Sequence, residues 1–454
     1  LNEALDFVRS RHHNYIGELT DYLAIPSISS DPARQSDVAH GAEFTAQLMR
    51  NAGLDRVAIH PTSGHPIVTG EWLGTPGKPT FLVYGHYDVQ PVDPLDLWEK
   101  DPFSAHIKDD RIIARGSADD KGQVFMHFKA VEAIIEKDGS LPINLKFVVE
   151  GEEEVGSPNL SPFLVDHKAD LKADGALVSD TSMWAEGIPA ITYGLRGLCY
   201  LEVELTGPNR DLHSGTYGGA VANPVEILAR LLASVKDASG RIQIPGFYDR
   251  VVVPTDKERE LFRTIPFHLA DYKARLGVED LWGESGWSPV EQTWVRPSFE
   301  VNGLWGGYTG PGAKTVLPAK ANAKVSMRLV PDQHPDEIAD LAERFFKERA
   351  PATVTVKVTR HHGGHPVVAS LESPFVAAAE RALRDAWNRE PLFIREGGSI
   401  PIVADFRTIL GLETLLLGYA LPDNRAHSPN ENFHLPTMFT GIESLVRLYY
   451  YLAG

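Results

Sequence analysis

The chain has 454 residues, with 44 Lys and Arg against 61 Asp and Glu, a formal net charge of −17 and 43% hydrophobic residues. That length holds about two or three domains with ample core, and the acidic balance excludes a nucleic-acid surface built on a basic stripe. No apolar run reaches the ~18–20 residues of a membrane span, and the lone cysteine, Cys199, excludes an intrachain disulfide and fits a reducing, cytoplasmic compartment.

Residues 1–9 read as an amphipathic helix, not as a signal peptide, at the head of a helical segment over 5–23. A second helix is predicted over 39–52. Strand 80–84 then runs into His86-Tyr87-Asp88. In extended chain, residues two apart point to the same side. His86 can therefore face a metal while Asp88 holds its other ring N–H. The loop Arg115-Gly116-Ser117-Ala118-Asp119-Asp120-Lys121-Gly122 opens a helix over 123–136. Strand 144–149 runs into Glu150-Gly151-Glu152-Glu153-Glu154, and strand 176–178 ends in Ser179-Asp180. The alternation up to about residue 192 predicts an α/β fold with a mostly parallel sheet flanked by helices. Ligands of such sheets bind beyond the carboxyl ends of the strands, where this chain repeatedly places acids and His.

A second module starts near residue 197. Strand 199–205 alternates apolar and polar residues, as one face of a half-exposed sheet should. Asn223-Pro224 opens a helix through 235, with Pro at an early helical position. Residues 244–297 read as an irregular excursion, followed by strand 323–330, helix 335–349 and strand 353–359. This predicts an inserted, smaller α+β domain, one sheet backed by two helices. The first pattern then resumes with helix 374–388, the segment Arg395-Glu396-Gly397-Gly398-Ser399-Ile400-Pro401, strand 413–417, a loop holding Ala426-His427-Ser428, and helix 435–452. The expected organisation is 1–196 and 365–454 for the catalytic domain and 197–364 for the insertion.

His86, Asp119, Glu154, Asp180 and His427 are N and O donors of the types divalent ions such as zinc accept. Two such ions about 3.5–4 Å apart acidify a water and polarise a carbonyl. Glu153, beside Glu154, is the natural carrier of the water's proton to a leaving amine. Other readings compete. Asp119 and Asp120 could cap the helix that follows, and the acidic run 150–154 could be a helix start favoured by the macrodipole. His213 could be a surface residue between glycine turns, and Arg328 could simply pair with an acid.

Five ordered motifs, His86-Tyr87-Asp88, Gly116-Ser117-Ala118-Asp119-Asp120-Lys121-Gly122, Glu150-Gly151-Glu152-Glu153-Glu154, Ser179-Asp180 and Ala426-His427-Ser428, resemble those of the di-metal aminoacylase/carboxypeptidase G/carnosinase superfamily of metallopeptidases. Lys314-Thr315-Val316-Leu317-Pro318, Arg328-Leu329-Val330-Pro331-Asp332 and the 395–401 segment bring it nearest to cytosolic carnosinase-like dipeptidases. The resemblance implies that Asp119 bridges two metal ions, zinc in the first place and manganese as the alternative. His86 and Asp180 would complete one ion's shell and Glu154 and His427 the other's, with a cis Asp119–Asp120 peptide. Glu153 would be general base, then acid, and Asp88 would orient His86. It further implies a homodimer formed by the inserted domain, which also acts as a lid. His213 would reach across to the neighbouring site's oxyanion. Asn223, Thr315, Arg328, Gly397, Gly398 and Ser399 would bind a small peptide, and Glu396 would anchor its ammonium. An N-acyl-amino-acid deacylase or glutamate-releasing carboxypeptidase is the alternative on the same metal site. No nucleic-acid or membrane partner is expected.

Overall fold

A computed structural model of the chain describes residues 1–398 and 400–454. It divides into two compact units, Leu1–Tyr193 with Ala369–Ile394 and Asp405–Gly454, and Gly194–Val368 with Arg395–Ala404.

In the first unit the strands β1 (Asp55–His60), β2 (Ile67–Trp72), β3 (Thr80–His86), β4 (Asn144–Glu150), β5 (Gly175–Val178), β6 (Ala190–Leu195) and β7 (Thr414–Leu416) lie in the order β1-β2-β4-β3-β5-β7-β6. The central four, β4, β3, β5 and β7, are parallel. The flanking β1, β2 and β6 are antiparallel, so the sheet is mixed and parallel only at its centre. The parallel strands are apolar on both faces, with Phe81, Leu82, Val83, Leu145, Phe147 and Val148 all without solvent exposure. Strands covered by helices on both sides have this composition. β1 escapes sequence reading because it is an edge strand whose residues stay partly or fully exposed.

The helix Lys121–Asp138 is buried on nearly all sides along its first three turns, as expected of a core helix, and ends on Gly139 at φ 72°. It packs in one core with residues of Asn2–Ser10 and Leu435–Leu452. The single helix expected over 5–23 is two, Asn2–Ser10 and His12–Leu23. At the break the Arg11 N–H bonds to the Val8 carbonyl at 3.0 Å. The Ser10 hydroxyl donates back to the Phe7 carbonyl at 2.7 Å, competing with the helical ladder.

The second unit holds an antiparallel sheet in the order Ser298–Gly306, Lys320–Leu329, Gly197–Thr206, Thr355–Gly364. Burial alternates residue by residue along Gly197–Thr206. Its inner face, Cys199, Leu201, Val203 and Leu205, packs in one core with Leu228 and Leu231 of Pro224–Ala233 and Ala342, Phe345 and Phe346 of Pro335–Arg349. Burial pushes the Cys199 thiol up to about 12, which makes it an inert packing residue. The excursion over 244–297 is more ordered than its composition suggests. It contains the helices Asp256–Thr264, Leu269–Leu276 and Pro289–Trp294, each too short to show a clear period. Among the described residues, no helix is long and apolar enough to cross a membrane.

Candidate metal centre

The parallel register sets the site. His86, the last residue of β3, lies opposite Glu150, the last of β4, and Tyr84 lies opposite Val178 at the end of β5. The segments leaving these strands therefore start at one level, and they carry Asp88, Glu153, Glu154 and Asp180.

Two groups of donor atoms result, His86 with Asp119 and Asp180, and Asp119 with Glu154 and His427, each with its atoms within 4.8 Å of one another. Asp119 belongs to both. Its Oδ1 lies 3.1 Å from His86 Nε2 and its Oδ2 lies 2.9 Å from His427 Nε2. His427 Nε2 is also 3.3 Å from Glu154 Oε2, and His86 Nε2 is 3.9 Å from Asp180 Oδ2. One carboxylate thus turns one oxygen to each group. The capping alternative fails, because Asp120 stands at the N-cap of Lys121–Asp138 and makes no side-chain cap bond. Its carboxylate accepts the His86 N–H at 3.2 Å instead. The Asp119–Asp120 peptide is cis.

Asp88 has two tasks. His86 Nδ1 lies 3.1 Å from the Asp88 carbonyl oxygen and 3.4 Å from its carboxylate, which fixes the ring. The same carboxylate accepts the N–H groups of Glu153 at 3.2 Å and Glu154 at 3.1 Å. It therefore also holds the turn Glu153–Val155. Sequence spacing shows only the first task, since the partners in the second are 65 and 66 positions away.

The electrostatics are those of acids short of positive charge. Burial pushes the Glu153 carboxyl up to about 8; His86 opposes this and Glu154, Asp119 and Asp88 reinforce it. Burial and the charges of Asp119 and Asp120 raise Asp180 well above the carboxylate range. Burial also opposes ionisation of Asp119, yet its bonds to His427 and His86 hold it below that range. The His427 imidazole is raised to about 10 by Asp119 and Glu154. A concentrated set of imidazole and carboxylate donors with this charge deficit fits two divalent cations.

Residues not singled out from the sequence also meet here. Gln90 donates to Glu154 Oε2 at 2.6 Å. Glu431, with no solvent exposure, accepts bonds from the Asp119 loop. Its place four residues after His427 carried no recognisable signal.

The remaining candidates lie in the second unit. His213 is exposed, at the end of a two-residue ladder against Val316 and Leu317 that brings Thr315 alongside. Its Nδ1 accepts the Gly215 N–H at 3.1 Å, which puts the proton of a neutral ring on Nε2. Asn223 caps Pro224–Ala233, its Oδ1 accepting the Val225 N–H at 3.0 Å. Arg328 sits half-buried in Lys320–Leu329. Burial, and next the Arg328 charge, lower Arg196 to about 10. The Arg196 N–H donates to the Glu396 carbonyl and its Nε to the Gly397 carbonyl, both at 3.2 Å. A Cβ on Gly397 would come within 2.7 Å of Arg196 Nη2 and 3.1 Å of the Thr293 carbonyl, so a side chain there would displace the guanidinium, whereas Gly398 faces open space. Ser399 lies outside the described residues.

Residues 82–451 match the sequence profile of peptidase family M20/M25/M40. The chain belongs to this family. The M20 chain is 35% identical to the Cys-Gly metallodipeptidase DUG1 of Candida albicans, covering 98% of this chain and 96% of that one. It is 34% identical to the human Beta-Ala-His dipeptidase, over 96% of this chain and 89% of the relative. In three dimensions it is similar to the M20 metallo-carboxypeptidase Sso-CP2 of Sulfolobus solfataricus, with TM-score 0.88 and 31% identity over 97% of this chain and 99% of that one. An M20 metallopeptidase with the mixed α/β fold of that solved relative is what the sequence motifs led one to expect.

Proposed function

We propose that this M20 chain hydrolyses dipeptides with two divalent ions held by His86, Asp119, Asp180, Glu154 and His427. The observation that carries the reading is Asp119, with one oxygen toward each three-donor group. Bound ions supply Lewis acidity, an acidified water and a polarised amide carbonyl. The chain's own residues do the rest. Asp88 holds His86 and, through two N–H bonds, the Glu153–Val155 turn. Glu153, beside Glu154, takes a proton from the water as the carboxylate and returns it to the leaving amine. Zinc is the first choice of ion, manganese the second.

The second unit is read as lid and dimerisation domain of a cytoplasmic homodimer. His213 of the partner subunit, with its proton on Nε2, donates to the oxyanion. Arg328 binds the substrate carboxylate as a planar fork, with Asn223, Thr315, Gly397, Gly398 and Ser399 around the substrate and Glu396 on its ammonium. The names of the similar dipeptidases support a free dipeptide as substrate. Similarity to a metallo-carboxypeptidase supports a second reading, in which the same centre releases a C-terminal residue from an acylated or longer substrate.

Protein stripped with chelator, reloaded with zinc or manganese and offered a free dipeptide and its N-acetylated form separates these. Restored cleavage confined to the free dipeptide is expected. Cleavage of only the acetylated compound transfers the chain to the deacylase reading, and no metal-restored cleavage of either removes the catalytic one.

A further inference from the structure

We infer that the buried Arg115–Glu431 ion pair is the positioning device that sets Asp119 and His427 for the second cation; the inference rests on the metal-site reading above. Glu431 is fully buried and Arg115 is 1% exposed. Four donors converge on the one carboxylate. Oε2 accepts Arg115 Nη1 at 2.7 Å and the Gly116 N–H at 3.0 Å. Oε1 accepts the Ala118 N–H at 2.9 Å and the Asp119 N–H at 3.1 Å. Glu431 thus binds the backbone of the bridging residue itself.

The pair also joins three ligand-bearing segments. Arg115 Nη2 donates to the Pro91 carbonyl at 2.9 Å, in the segment that leaves β3 through His86 and Asp88. The Ala114 N–H donates to the Glu431 carbonyl at 3.0 Å, which fastens the Asp119 loop to the 423–432 loop. That loop carries His427, itself at φ 59°. It is closed by the Asn432 N–H to the Asn424 carbonyl at 2.8 Å and by Asn424 Oδ1 accepting the Ala426 N–H at 2.7 Å. His427 is the more exposed imidazole, 57% against none for His86. It therefore has less packing of its own to fix it. Neither Arg115 nor Glu431 contributes a donor to the two groups around Asp119. Their effect on the ions runs through Asp119 and His427.

Glu431→Gln keeps the shape but turns one oxygen, which now accepts two bonds, into an NH2 that faces donors. Outer partners of metal ligands hold about 10–100-fold of affinity. Metal-free wild type and variant would be titrated with Zn2+ against a chromophoric chelator, with the metal-free thermal midpoint recorded in parallel. The wild type is expected to bind two ions. The variant should keep one tight ion and hold the second about 10–100-fold more weakly, with kcat recovered by excess Zn2+ and KM unchanged. Arg115→Lys keeps the charge but loses the fork to Pro91, and should show the same loss in milder form. Two ions bound by the variants with wild-type affinity would overturn the inference. So would unfolding of both metal-free variants, which assigns the pair to the fold alone. A wild type that binds fewer than two ions removes the underlying metal-site reading instead.

Discussion

At the scale of single residues, the centre assigns different work to carboxylates of one chemical kind. Asp119 is held ionised between two imidazoles, Asp88 is spent on backbone N–H groups and one ring, and Glu153 is left with a raised pKa. Separation of carboxylates by environment is how one site holds ligands and a proton carrier together. Glu153→Gln should therefore retain both ions and lower kcat by about 10²–10⁴-fold. Parallel metal analysis and turnover would check it, and normal turnover with full metal content would remove Glu153 from its role. The five candidate ligands were legible because each follows a strand-like apolar run or a recognisable motif. Glu431 and the second task of Asp88 were not, since each depends on a partner far away in sequence. A buried acid that binds backbone looks, in sequence, like any other acid.

At the scale of elements, the helix Lys121–Asp138 links the strand ends to the C-terminal helix through one buried imidazole. His127 Nδ1 meets the Tyr449 hydroxyl and its Nε2 meets Ser179 Oγ, both at 2.8 Å, and Ser179 precedes Asp180. Burial lowers His127 to about 3, against 6.5 for an unperturbed imidazole. Above pH 6.5 the ring is neutral in folded and unfolded chain alike, and it contributes no pH dependence. Between about 6.5 and 3 only the unfolded chain takes up this proton, so stability falls as pH falls. His127→Gln should flatten that part of the acid limb, seen in urea midpoints measured from pH 7 to 4. An unchanged slope would mean that His127 does not stay neutral in the fold. The elements themselves were legible where burial is two-sided or strictly alternating, as in β3, β4 and Gly197–Thr206. They were not where the chain lies at an edge or turns within a few residues. β1 has no buried face to impose an alternation, and the helices over 244–297 lack the length for periodicity to declare itself.

At the scale of the whole molecule, all five candidate ligands fall in the unit that contains the parallel strands, while the second unit has its own core of Leu201, Val203, Leu205, Ala342 and Phe346. Ions that bind only the folded state stabilise it by RT ln(1 + [L]/Kd), about 2.7 kcal/mol at a hundredfold excess over Kd. That free energy belongs to the unit that supplies the ligands. Chains with separate cores depart from all-or-none unfolding, so heating should resolve two transitions. Chelation of both ions, about 5.4 kcal/mol together at that excess, should lower the first unit's midpoint by about 10–20 °C, at roughly 2–4 °C per kcal/mol for a unit of this size. The other midpoint should stay in place. Differential scanning calorimetry with and without chelator makes the comparison. A single transition that shifts as one would show that the two cores unfold together, and no shift at all would mean that the acid-rich centre holds no ion that matters to the fold.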